Sequence, residues 1–212
     1  MYCKQLKTVK FSKNSKIESI EEFTFSSSSI KSMKIPSSVK IIGKCAFKSC
    51  LQLKTIEFCY HSKLNEIDVE AFSFSSLEKI EIPSNVTKIA EHAFKGCRHL
   101  KTLKFSENSQ IKSICKFAFS GSSLERVLMP SSISIIEERV FDSCLKLRTV
   151  EFLSENLFIG DFAFFLSMRL FFVSFPNATE ITVSSNSFCQ ISRDSSIFIK
   201  PNSIFKFKNI NS

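Results

Sequence analysis

The apolar positions of this chain recur with a period that neither a single helix nor a single strand explains. Segments of the form Leu-x-x-apolar-x-apolar begin at Leu6, Leu53, Leu100 and Leu147, 47 residues apart each time, and end on Phe11, Phe58, Phe105 and Phe152. Midway between them lies a second set, Ile30 to Pro36, Leu77 to Pro83 and Leu124 to Pro130, with the same spacing. The basic unit is therefore 23 or 24 residues, alternating between an LxTxxF form and an LxxxxIP form. Leu170 to Pro176 continues the series with some drift, and an echo survives in Ile197 to Pro201. Because self-similarity at such a period signals stacked coils, the repeat decides the fold before any single element does.

Within each segment the last two apolar positions share one face of a short strand. Proline cannot donate a ladder hydrogen bond, so Pro36, Pro83, Pro130 and Pro176 are expected to terminate these strands. A second pattern, Val39-x-x-Ile42, Leu64-x-x-Ile67, Val86-x-x-Ile89, Ile111-x-x-Ile114 and Ile133-x-x-Ile136, returns the chain on the opposite side. Five residues after each comes a phenylalanine: Phe47, Phe72, Phe94, Phe119 and Phe141, with Phe25, Phe164 and Phe188 extending the row. One unit cannot bury its apolar face alone, whereas stacked units can. The prediction is a strand-rich repeat solenoid of about eight coils, a curved rod roughly 40 Å long at a strand spacing of about 4.8 Å. Residues 1–188 form the solenoid in this reading, and 189–212 a degenerate terminal coil or cap. The first coil starts at residue 6 without a cap, which leaves open a fragment, a partner over that end, or a segment upstream.

The block Leu77 to Cys97, LEKIEIPSNVTKIAEHAFKGC, joins Ile-Pro, Val-x-x-Ile, Ala-Phe and Cys at fixed offsets. It resembles the BspA-like leucine-rich repeat, and the resemblance covers about residues 6–188. It implies a leucine-rich-repeat horseshoe or superhelix with a parallel sheet on the concave face. It also implies kinship with surface antigens and adhesins that bind proteins of a host or neighbouring cell, and it brings no catalytic residues. The chain departs from that pattern in having no visible signal peptide or anchor, and its later coils lose the cysteine.

Composition adds little beyond this: 43% hydrophobic and 23% charged residues are ordinary for a soluble domain. The 24 phenylalanines beside no tryptophan and two tyrosines fit one repeated packing position. Four glycines argue against a phosphate-cradling loop, which needs several close together. Met1 to Lys7 lacks an apolar run behind its lysines, and Phe162 to Phe175 is interrupted by Ser167, Arg169 and Ser174, so neither a leader nor a transmembrane segment is expected.

The eight cysteines do not read as a disulfide framework. Cys50, Cys97 and Cys144 hold one repeat position two coils apart, roughly 10 Å by strand spacing, beyond the reach of about 7 Å that a bridge allows. They are expected to be small buried hydrophobes, with a Cys45–Cys50 bridge across a turn disfavoured. No C-x-x-C or clustered histidine suggests a metal, and His61, His92 and His99 stand apart from any nucleophile, so no cofactor and no enzymatic activity are expected. The Asn85-Val86-Thr87 and Asn177-Ala178-Thr179 sequons are expected to be idle in a chain without a leader. Free cysteines and the missing leader favour the cytoplasm; the family resemblance keeps a cell surface in play.

Function then rests on what the strands show to solvent. One outward row runs Thr8, Ser32, Thr55, Lys79, Thr102, Arg126, Thr149, Phe172, and the other Lys10, Lys34, Glu57, Glu81, Lys104, Leu128, Glu151, Ser174. Despite the net charge of +9, neither row is a basic stripe, which argues against nucleic acid. The expected role is a non-enzymatic scaffold that binds a protein partner on the concave face. Lys79, Glu81, Lys104, Arg126, Leu128, Glu151 and Phe172 are the candidate contacts, with Arg126, Leu128 and Phe172 as anchors. A surface adhesin and a weak nucleic-acid binder are the alternatives.

Overall fold

Every L-x-x-I-x-I segment from Ile30 onward becomes a strand at its last four positions. The computed structural model describes residues 4–12 and 14–208. In chain order the strands are β1 (Ser19–Ile20), β2 (Ser32–Ile35), β3 (Ile41–Ile42), β4 (Thr55–Phe58), β5 (Glu66–Ile67), β6 (Lys79–Ile82), β7 (Lys88–Ile89), β8 (Thr102–Phe105) and β9 (Ser113–Ile114). They continue as β10 (Arg126–Met129), β11 (Ile135–Ile136), β12 (Thr149–Phe152), β13 (Asn156–Ile159), β14 (Phe172–Phe175), β15 (Glu180–Ser184), β16 (Ser196–Ile199) and β17 (Ile204–Lys208). Even-numbered strands form one parallel sheet of eight and odd-numbered strands a second parallel sheet of nine, each interior strand pairing with the coils before and after it. The fold is a β-solenoid of about eight turns, with no helix among the described residues, hence none long and apolar enough to cross a membrane.

Only one of these sheets was expected from the sequence. The Val-x-x-Ile segments, read as a simple return path, form the second sheet through strands mostly two residues long. Prolines behave as predicted: Pro36, Pro83, Pro130 and Pro176 directly follow β2, β6, β10 and β14.

Between the sheets lies one continuous core. Met33, Ile80, Val127 and Val173 point inward from the even strands, while Ile42, Ile67, Ile89, Ile114 and Ile136 meet them from the odd ones. The phenylalanine row forms an unbroken column from Phe25 to Phe188. Phe47 and Phe72 stack at 5.1 Å and 3°, Phe94 and Phe119 at 5.1 Å and 4°, Phe164 and Phe188 at 5.1 Å and 2°. The coil pitch sets this distance, so each ring covers the next as the chain winds.

The turn that carries this column uses left-handed backbone at two positions per coil. Phe23, Cys45, Glu70, His92, Phe117, Arg139 and Phe162 occupy the first; Ser27, Ser49, Phe74, Gly96, Gly121, Ser143 and Leu166 occupy the second. A side chain at such φ costs on the order of 1–2 kcal/mol. Compensation comes from the amide N–H, which this conformation points at the next coil: Cys45 N–H donates to Val69 O at 2.9 Å, His92 to Lys116 O at 3.0 Å, Ser49 to Ser73 O at 2.8 Å. At Gly96 a Cβ would also lie 2.5 Å from the ring of Phe74, whereas at Gly121 its nearest neighbour is 3.7 Å away. Gly96→Ala is therefore expected to lower stability by about 2 kcal/mol and Gly121→Ala by about 1 kcal/mol, read from urea midpoints. Equal losses would mean that the half-exposed Phe74 ring swings aside without penalty.

Candidate interaction surface

Strand alternation puts one residue of each inward pair in the core and leaves its neighbour in water, so the eight-stranded sheet presents two rows to solvent. Lys79 and Glu81 come from β6, Lys104 from β8, Arg126 and Leu128 from β10, Glu151 from β12 and Phe172 from β14. The register aligns them: Lys79 with Thr102, Glu81 with Lys104, Thr102 with Arg126, Leu128 with Glu151, and Thr149 with Phe172. All seven predicted contact residues thus share one face. Lys79, Glu81, Lys104, Arg126, Leu128 and Phe172 are exposed, and Glu151 is half-buried. The hydroxyl of Ser106 holds Glu81 at 3.0 Å.

One member of the outward rows is not available. Ser174 is buried, because it is short and lies in register between Glu151 and Phe198. The sequence reading also passed over Phe171, at 45% exposure, and Phe198, at 50%. Phe198 falls in the terminal segment whose repeat had faded to an echo, and Phe171 precedes the strand, outside the rows considered.

The cysteines carry more polar structure than small hydrophobes would. Cys50 Sγ–H donates to Phe25 O at 2.9 Å, Cys97 to Phe72 O at 3.1 Å and Cys144 to Phe119 O at 3.3 Å. With the thiol proton committed, the hydroxyls of Ser28, Ser75 and Ser122 donate to these sulfurs at 3.4, 3.4 and 3.3 Å. Each Ser–Cys pair clamps one coil to the next where neither group meets water. Burial pushes the Cys97 and Cys144 thiols up to about 12 and raises Cys50 as well. Cys45 and Cys115, less enclosed, rise to about 11 through burial first and then through Glu70 and Glu137 respectively. All seven described cysteines are unbridged; Cys3 lies outside the described residues.

Other candidate groups have local duties. Asn85 and Asn177 donate their side-chain amides to Ser62 O at 3.0 Å and Leu153 O at 3.1 Å of the preceding coil, so each amide already serves a bond between coils. His92 stacks on Phe117 at 5.1 Å, and burial lowers its pKa. His61 lies edge-on to Tyr60 at 4.9 Å. Arg139 sits over Phe162 at 4.8 Å and Phe165 at 5.2 Å. Among the described residues these contacts bring no nucleophile, base and oxyanion donor together.

The model of one family, described as BspA type leucine rich repeat region, matches this sequence in six copies over residues 1–101 and 65–194. Among solved structures, the pneumococcal vaccine antigen PcpA is 20% identical, with a TM-score of 0.52 over 86% of this chain and 69% of that one. A leucine-rich repeat protein from Bacteroides ovatus is 19% identical, with a TM-score of 0.53 over 91% of this chain and 67% of that one. At these identities both likenesses speak to the fold alone. No curated protein matches the sequence.

Proposed function

The chain belongs to the BspA-type leucine-rich repeat family, and from that premise we propose that it is a non-enzymatic scaffold binding a protein partner on the outward face of its eight-stranded sheet. The observation that carries this reading is a break in the polar pattern of that face. Leu128 is 55% exposed and Phe172 37%, on strands whose inward neighbours Val127 and Val173 are almost wholly covered. Packing within the fold gives no reason for apolar residues there. Phe171 and Phe198 enlarge the patch at the same end of the sheet. An apolar patch rimmed by polar groups is the usual form of a contact site, and aromatic anchors carry most of the energy in such sites. Lys79, Glu81, Lys104, Arg126 and Glu151 supply the polar surround and set orientation.

Capture of a partner from the native cell by the immobilised protein tests this. The double variant L128D/F172D is expected to retain the partner about tenfold less or worse, with its circular dichroism unchanged. The matched variant I41D/I135D alters exposed residues of the nine-stranded sheet. If that variant loses the partner while L128D/F172D keeps it, the wrong face has been assigned. The pneumococcal neighbour is a vaccine antigen by name, which supports a second reading, display on a cell surface as an adhesin or antigen. Labelling of intact cells separates the two readings, since only a displayed chain takes up an impermeant reagent.

A further inference from the structure

The proposed contact face has a second end, and charge is concentrated there. Twelve lysines and four glutamates fall within residues 1–63, so this stretch carries +8 of the net +9. Four of the described lysines in this stretch are paired with acids. Towards the nine-stranded sheet and the turns, neighbouring coils supply acids: Lys40 meets Glu18 at 2.9 Å, Lys44 meets Glu22 at 3.7 Å and Lys48 meets Glu70 at 2.7 Å. Accordingly the Lys48 ammonium holds the Glu70 carboxyl below its usual range. On the eight-stranded side, Lys54 meets Glu78 at 3.1 Å.

Lys7, Lys10, Lys31 and Lys34 are set apart by lying on two adjacent coils on the eight-stranded side. All four are exposed, and none makes an ion pair among the described residues. Val9 and Phe11 pack against the core on either side of Lys10, as Met33 and Ile35 do around Lys34, so both lysines face outward. Lys7 and Lys31 stand three residues earlier in their coils, and the Ser29 hydroxyl ties those coils together by donating to Lys4 O at 2.6 Å. Four exposed lysines from two adjacent coils are therefore gathered at this end of the face. Glu57, in register with Lys34, is the acid beside them.

We infer that this lysine patch receives an acidic segment of the protein partner, an extended stretch rich in Asp and Glu; the inference rests on reading this face as the protein-binding surface. Mutual repulsion of four like charges is a standing cost that only an anion relieves. An extended chain presents same-side carboxylates about 7 Å apart, a spacing that flexible lysine stems on this lattice can meet. Nucleic acid fits less well. Every cation in residues 1–63 is lysine, so the planar fork that arginine offers to phosphates and base edges is missing. The outward residues around the patch, Thr8, Ser32 and Thr55, give bases nothing to stack on, and a flat sheet inserts nothing into a groove. The sheet that begins at β2, beside the patch, leads over about 20–30 Å to Leu128 and Phe172. One partner can thus be steered by its acidic segment at one end and anchored by apolar contacts at the other.

Titration of labelled probes tests the assignment on the whole chain. One probe is a peptide of alternating Glu and Ser, the other a single-stranded DNA of equal charge. The variant K7Q/K10Q/K31Q/K34Q is expected to bind the peptide about tenfold more weakly than wild type. The variant K63Q/K88Q/K112Q/K146Q, with the same loss of net charge on other faces, is expected to match wild type. Equal weakening in both variants, no binding by wild type, or tighter binding of the DNA each overturns the inference. L128D/F172D lies well beyond a Debye length of about 10 Å from the patch and should leave the peptide titration unchanged, so the two proposals fail separately.

Discussion

Phe119→Ala is expected to lower the unfolding free energy by about 4 kcal/mol, whereas Phe188→Ala lowers it by about 2 kcal/mol or less. Both residues hold the same place in their coils. Phe119 is wholly buried and stacks on Phe94 at 5.1 Å and on Phe141 at 5.8 Å, so its removal leaves a void with ring faces on both sides. Phe188 is half-buried and meets only Phe164 within the column. The cavity penalty scales with the volume that neighbours cannot refill, and an end coil can settle where a middle coil cannot. Position also decides how the loss is spread. Coils contact only their neighbours, so a defect at Phe119 weakens coupling between two halves of the rod. Urea unfolding followed by circular dichroism should therefore show a broader transition for Phe119→Ala, and a merely shifted one for Phe188→Ala. Equal losses would mean that the column contributes no more than the area each ring buries.

That column was legible in the sequence because repetition amplifies a weak local signal: one Phe five residues after an Ile says little, and eight in register say a great deal. The even strands and their prolines were legible for the same reason. The second sheet was not. Its strands are mostly two residues long, too short for alternation to show, and they are held across coils by bonds such as Gly43 N–H to Ile20 O at 2.8 Å and Asp68 N–H to Ile42 O at 3.0 Å. The left-handed turn positions were equally silent, because Phe, Cys, Glu, His and Arg occupy places where a run of Gly or Asn would have announced them. The candidate surface was half legible. Periodicity identifies which residues face outward, but outward residues carry no repeat constraint, so nothing in the pattern distinguishes a contact from a solvated neighbour. The clue there was an exception, Leu128 and Phe172 in polar rows. The lysine patch needed the structure, since only the stacking of the first two coils and the cross-coil ion pairs together show which lysines are unpaired and on one face.

Cys97 and Cys144 are expected to react with an aromatic disulfide reagent near pH 8 about a thousandfold more slowly in the folded chain than after unfolding, while Cys189 reacts at once. The factor follows from ionisation alone: a thiol at about 12 rather than 9.0 holds about a thousandth of the thiolate at that pH. Burial of both sulfurs lowers access further, whereas Cys189 is exposed. A C3S background confines the readout to the described thiols. The sign of the linked stability effect is fixed by the same shift. Below pH 9 both folded and unfolded thiols keep their protons, and stability is unaffected. Between about pH 9 and 12 the unfolded chain releases protons that the folded chain retains, so each of the two thiols lowers the folding equilibrium about tenfold per pH unit. The variant C97A/C144A should accordingly flatten the decline of the urea midpoint between about pH 9 and 10, where an unchanged slope would assign the decline to other groups. This bears on function as well as on stability. Unpaired cysteines by themselves suggest a reducing compartment, but Cys50, Cys97 and Cys144, buried between Phe carbonyls and Ser hydroxyls, are shielded from oxidants wherever the chain is folded. Those three buried thiols therefore do not discriminate between an internal scaffold and a displayed one, and the labelling of intact cells does.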